Sequence, residues 1–188
     1  MSYLTQKTIK NIVSFEGISL HSGLNVKVCI KPAEANFGIV FKRVDLKNNN
    51  LVYPNFLNVT NTSLNTTIEN EYGVKVSTIE HLMGALFGLG IDNVLIEINK
   101  EEVPILDGSA KVFIEKIIQA GIQVSDSPIK IIKINKEIKF SDGERFILMK
   151  PSALNLEIDF ELKYSNKFIG NQKNKIKVFE DDLTDIYN

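Results

Sequence analysis

The chain has 188 residues, 44% hydrophobic and 24% charged, enough for one full domain and part or all of a second small one. Lys+Arg (22) nearly balance Asp+Glu (23) for a net charge of −1, so no global basic field exists to recruit nucleic acid or an anionic lipid surface. No run approaches the roughly eighteen apolar residues of a membrane helix, and the start, Met1 to Lys7, lacks the apolar centre of a signal peptide, so a cytoplasmic protein without a transmembrane segment is expected.

Thr8–Val13, Val26–Ile30 and Gly38–Phe41 are strand-like and separated by Gly17, Gly23, Pro32 and Asn36, which predicts an antiparallel meander. The single cysteine, Cys29, lies in the alternating run Val26-Lys27-Val28-Cys29-Ile30-Lys31 and is expected to be a buried structural thiol in a reducing compartment. The Asn-rich stretch 47–66 reads as loop and edge strand, followed by a short strand at 74–76 and a helix at 78–89. A strand follows at Asp92–Ile98, then a turn at Pro104–Ser109. A second amphipathic helix runs from Ala110 to Ala120, carrying Val112, Phe113, Ile117 and Ile118 and closed by Gly121. Beyond the polar bridge Ser125–Pro128, alternation predicts strands at 129–134, 136–140, 145–149 and 154–162, with a lysine-rich loop at 163–177. Two domains are expected, 1–126 and 127–188.

Chemistry concentrates at Ser77-Thr78-Ile79-Glu80-His81-Leu82-Met83-Gly84-Ala85-Leu86-Phe87-Gly88, which sets a carboxylate beside one of only two histidines at a helix start. Ile79, Leu82, Met83, Leu86 and Phe87 share a helical face, and His81 falls nearly opposite, over the small residues Gly84, Ala85 and Gly88. Two readings of Glu80 compete. Ser77-x-x-Glu80 is a capping box, whereas a carboxylate beside a metal-binding imidazole is a general base for a metal-bound water. The other histidine, His21, sits between Gly17 and Gly23 in a turn, a position that suits either a site residue or an idle surface imidazole. Pro104–Ala110 reads first as a turn that caps the second helix through Asp107 or Ser109.

Four blocks, Gly17-x-x-Leu20-His21-Ser22-Gly23, Ser77–Leu82, Gly88-Leu89-Gly90-Ile91-Asp92-Asn93 and Pro104–Ala110, together resemble the zinc-dependent UDP-3-O-acyl-N-acetylglucosamine deacetylases of lipid A biosynthesis. The resemblance implies an α+β fold, a two-layer sheet-and-helix domain followed by a second, similar but truncated one, with the site at the domain junction. It implies an amidohydrolase that removes the N-acetyl group from UDP-3-O-acyl-N-acetylglucosamine, with Zn²⁺ as cofactor, His81 as a zinc ligand, Glu80 as general base and His21 near the site. The family's His-Lys-x-x-Asp motif, its later histidine and its Ala-Arg-Thr-Phe segment have no counterpart, since no histidine follows His81. One imidazole does not make a three-ligand zinc site, so this 188-residue chain is expected to be inactive or weakly metal-binding. The alternative is a non-catalytic truncated fragment or binding module. Strands at 128–162 without later partners predict self-association, or pairing with a missing second half.

Overall fold

The structure is a computed structural model that describes residues 5–143, 145–151 and 157–177. The chain divides into two compact units, Met1–Ile129 and Lys130–Asn188.

The first unit opens with β1 (Thr5–Ile9), β2 (Val13–Ile18), β3 (Asn25–Pro32), β4 (Ile39–Arg43) and β5 (Leu51–Val52). The short strands β6 (Val59–Asn61), β7 (Thr67–Glu69) and β8 (Lys75–Val76) follow, then helix α1 (Glu80–Gly88), β9 (Val94–Ile98), helix α2 (Lys111–Ala120) and β10 (Ile122–Pro128). The fold is α+β. Its main sheet has the order β2-β3-β9-β4-β5, with β4 and β9 parallel and the other neighbours antiparallel.

That order corrects the expected meander. Val94, Ile96 and Ile98 are buried, and a strand with so apolar a face is most stable between two neighbours, so β9 enters between β3 and β4. Nor is Thr8–Val13 one strand. The chain breaks after Ile9, and β1 leaves the main sheet to pair with β10 through Lys7↔Val124, Thr8↔Gln123 and Ile9↔Ile122. β10 therefore takes up the sequence expected to be a polar bridge. Gly121, at φ 79°, turns the end of α2 into it while its carbonyl accepts the Lys10 N–H at 2.8 Å.

The core forms where this sheet meets the helices. Val26, Val28 and Ile30 on β3 point inward, and α2 contributes Phe113, Ile114, Ile117 and Ala120. The Phe113 ring lies 5.0 Å from that of Phe15 on β2, tilted by 54°. Burying a side chain of this size contributes about 2–3 kcal/mol. Ile118, placed on the apolar face by periodicity, is instead 43% exposed, with Ile114 taking the core position. Cys29 is a further correction. Its neighbours at 28 and 30 take the core side, so Cys29 shares the outer face with Lys27 and Lys31 and is only partly buried. In α1 the buried stripe is Leu82, Ala85 and Leu86, while Phe87 is 56% exposed. The helix is thus rolled toward Ala85, and Ala85 belongs to the core rather than to a floor beneath His81.

Residues 129–137 form no strand, and the described strands of the second unit begin at 138. β11 (Ile138–Asp142) pairs with β12 (Arg145–Met149), and β13 (Glu157–Lys163) pairs with β14 (Asn171–Lys177), both antiparallel. The lysine-rich segment read as a loop is therefore half strand. Asn166 nucleates the reversal, its side chain accepting the Phe168 N–H at 2.9 Å and its carbonyl the Gly170 N–H at 2.8 Å, with Gly170 at φ 59°. The fourth expected strand begins inside 152–156, which lie outside the described residues.

Candidate active site at the start of helix α1

Ser77 does not cap α1. Its backbone is committed to an isolated parallel bridge with Glu102, in which the Ser77 N–H donates to the Glu101 carbonyl at 2.9 Å and the Val103 N–H to the Ser77 carbonyl at 3.0 Å. Thr78 then turns through the left-handed region at φ 54°, Ile79 takes the N-cap position without a side-chain cap, and Glu80 becomes the first helical residue. A capping box needs the serine at the N-cap and the glutamate three residues on. Here the left-handed residue displaces both, and the expected box does not form.

Glu80 is held from elsewhere. Its Oε2 accepts the Thr66 N–H at 3.0 Å, and Oε1 makes no hydrogen bond among the described residues. Its position in the first helical turn also suits a carboxylate, because the helix dipole presents positive charge there. The His81 imidazole beside it is half-buried, and Gly84 one turn on is exposed.

His21 lies in the turn between β2 and β3, exposed to solvent. The Ser19 N–H donates to the Leu24 carbonyl at 2.9 Å, and Gly23, at φ 67°, donates to the Ser19 carbonyl at 3.1 Å. Only a residue tolerant of that left-handed angle closes so tight a turn cheaply.

One buried carboxylate joins these two segments. Glu102, 4% exposed, accepts the His21 N–H on Oε1 at 2.9 Å, the Ser22 N–H on Oε2 at 2.8 Å and the Thr78 hydroxyl on Oε1 at 3.1 Å. Its own carbonyl accepts the Ser19 hydroxyl at 3.0 Å. Burial alone would push the Glu102 carboxyl up. The His21 and Ser22 N–H groups and the Ser22 and Thr78 hydroxyls outweigh it and hold the carboxyl below the usual glutamate range. A left-handed threonine costs about 1–3 kcal/mol, and the bonds from Thr78 to Glu102 and from Asn65 Nδ2 to Thr78 Oγ1 (3.3 Å) offset that strain.

Sequence reasoning misses Glu102. The one available signal is the apolar Val103-Pro104 that follows Glu102 and puts it at a core boundary. The turn forms at Asp107 and Ser109, but neither residue is the N-cap of α2, a position that Ala110 takes without a side-chain cap. Ser109 Oγ accepts the Lys111 N–H at 3.0 Å and donates to the Asp107 carboxylate at 3.0 Å. Among the described residues no three His, Cys, Asp or Glu side chains converge to hold a metal ion. His81 alone does not satisfy a catalytic zinc, which takes three protein ligands.

The family model for UDP-3-O-acyl N-acetylglycosamine deacetylase matches residues 6–186. The chain belongs to this deacetylase family. Relatives named UDP-3-O-acyl-N-acetylglucosamine deacetylase include that of Nautilia profundicola, 44% identical over 170 residues, which are 90% of this chain and 57% of the relative. The Haemophilus ducreyi protein is 39% identical over 167 residues, 89% of this chain and 55% of the relative. That of Actinobacillus pleuropneumoniae serotype 3 is 37% identical over 175 residues, 93% of this chain and 57% of the relative. The chain thus spans a little over half the length of the curated deacetylases it matches. Both α1 with its Glu80-His81 pair and the Glu102 network fall inside the matched range.

Proposed function

We propose that this chain carries the general-base half of a deacetylase site acting on UDP-3-O-acyl-N-acetylglucosamine in lipid A biosynthesis. The observation that carries the reading is the anchoring of Glu80: Oε2 is fixed by the Thr66 N–H while Oε1 keeps its acceptor capacity. A carboxylate held by one oxygen presents the other in a defined direction, as a general base requires. In the reaction, a water oxygen attacks the N-acetyl carbonyl carbon, Glu80 accepts the water proton, and the C–N bond breaks as that proton passes to the departing nitrogen, giving acetate and the glucosamine amine. His81 would supply an imidazole ligand to the zinc expected of the family. The further donors are not among the described residues of this chain, so no step is drawn through the metal. His21, tied to the same network through Glu102, is the candidate substrate-side histidine.

We place the reaction in the cytoplasm, where nucleotide-linked sugars are made. No described helix is long and apolar enough to cross a membrane. Self-association of the chain is part of this reading, supported by Phe140, Phe146 and Ile147, which are exposed on the β11–β12 hairpin.

The test is Glu80→Gln. The amide oxygen still accepts the Thr66 N–H, so the fold should hold, while the ability to take a proton is gone. In a complete deacetylase that supplies the further zinc donors, deacetylation of the UDP-linked substrate, followed by acetate release, should fall about 10²- to 10⁴-fold. An unchanged rate would remove Glu80 from the chemistry. Elemental analysis of zinc in the unaltered chain and in His81→Ala addresses the metal. Zinc retained equally by both would exclude His81 as a ligand.

A further inference from the structure

We propose that Glu102 is the positioning residue of this site, its carboxylate coupling the His21–Ser22 turn to the backbone group that aims Glu80. The path is continuous in hydrogen bonds. From the His21 and Ser22 N–H groups it reaches Glu102, then the Thr78 hydroxyl at 3.1 Å, and then Asn65, whose Nδ2 donates to Thr78 Oγ1 at 3.3 Å. Asn65 is fixed in turn by the Thr67 hydroxyl on its Oδ1 at 3.1 Å. Between Asn65 and Thr67 lies Thr66, the donor to Glu80 Oε2.

Three features make Glu102 the hub rather than one more buried polar contact. Its two carboxylate oxygens face two N–H groups and two hydroxyls from two separate segments, so no neutral side chain of the same shape satisfies all of them. The residue it orients, Thr78, is strained at φ 54° and stands two positions before Glu80, so its release is felt at the first turn of α1. Finally, the backbone on either side of Glu102 is itself fixed. The Ser77 bridge holds it on one side, and the Ile105 N–H donates to the Ile18 carbonyl at 3.0 Å on the other. Glu102 touches no reacting atom, and it acts through the alignment of Glu80 and His21. Its catalytic meaning rests on the deacetylase reading, whereas the coupling itself does not.

The experiment is backbone amide exchange by NMR on the full 188-residue chain, beside Glu102→Gln, Glu102→Asp and Thr78→Val. In Glu102→Gln the new amide NH₂ faces a donor. Exchange at His21, Ser22 and Thr66 should then rise about tenfold or more, with Ile30 in β3 and Ile96 in β9 staying within about twofold. Glu102→Asp, which keeps both oxygens on a shorter stem, should restore part of the protection. Thr78→Val cuts the path beyond Glu102 and should quicken Thr66 while leaving His21 and Ser22 protected. It serves as the deciding variant if Glu102→Gln does not fold. Unaltered exchange at Thr66, or equal acceleration at Ile30 and Ile96, would overturn the coupling. Where the unaltered chain turns over UDP-3-O-acyl-N-acetylglucosamine, Glu102→Gln should lower kcat about tenfold with KM within about twofold. A fall explained wholly by the unfolded fraction counts against positioning. Absence of turnover in the unaltered chain is what a chain without further zinc donors among its described residues should give, and the exchange pattern then decides the coupling.

Discussion

Glu102 keeps its charge at a place where water scarcely reaches, because two N–H groups and two hydroxyls replace the hydration it lost. That has a consequence for stability. With its folded-state pKa held below the ordinary value of 4.5, the carboxylate contributes stability that is fully present above that value and is lost as pH falls through the folded pKa. Thermal unfolding measured from pH 6 downward should show this loss in the unaltered chain, and Glu102→Gln should show a flatter acid limb. A parallel pair of curves would mean that Glu102 is protonated alike in the folded and unfolded chain. Glu80, by contrast, owes its place to one backbone donor, and that arrangement leaves its second oxygen available.

At the scale of elements, the site depends on how the small β6-β7-β8 sheet is fastened to the main one. Asn70, just after β7, makes one join by donating to the Leu51 carbonyl of β5 at 2.9 Å, and Arg43 at the end of β4 makes another. Its guanidinium grips Asp45 through Nε at 2.8 Å and Nη2 at 2.7 Å, and Nη1 donates to the Lys75 carbonyl of β8 at 2.8 Å. The side chain is 10% exposed, so this ion pair is far less screened than a surface one. Two residues beyond Lys75 the chain enters the Ser77 bridge and the left-handed Thr78. Arg43→Lys retains the charge but not the planar fork, and should cost about 2 kcal/mol in denaturant unfolding of the first unit. A loss under about 0.5 kcal/mol, the range of ordinary surface substitutions, would show the join to be dispensable. Gly17 adds a steric element to the same neighbourhood. A Cβ there would come within 3.1 Å of Leu106 Cδ2 and 3.4 Å of Pro104 Cβ, so β2 packs closely on the turn that follows Glu102.

For the whole molecule, the contrast between the two units matters most. The first unit buries aromatic and aliphatic side chains from the main sheet and both helices. The described part of the second unit is two separate hairpins, and an isolated two-stranded hairpin is at best marginally stable in water. Exposed apolar side chains and open strand edges invite pairing with another chain. Sedimentation should therefore show concentration-dependent association, shifted toward monomer by Phe140→Ser combined with Phe146→Ser. A monomer at all concentrations would refute the self-association reading.

Much of the fold is legible in the amino-acid sequence, and for local reasons. Helical periodicity locates α1 and α2, and a glycine that suffers no Cβ clash at φ 79° marks the end of α2. The spacing of four short blocks indicates the family that the match over residues 6–186 shows. Long-range pairing is not legible. The insertion of β9 between β3 and β4, the union of β1 with β10 and the outward face of Cys29 depend on which strands compete best for partners, a property no single segment carries. The site shows the same division. Sequence alone determined that Glu80 and His81 adjoin at a helix start. Only the tertiary structure decided that Thr66 rather than Ser77 holds Glu80, and that Glu102, far along the chain from both, is buried between His21 and Thr78. A buried charge is stable only where its donors converge, and here they converge from segments that folding alone brings together.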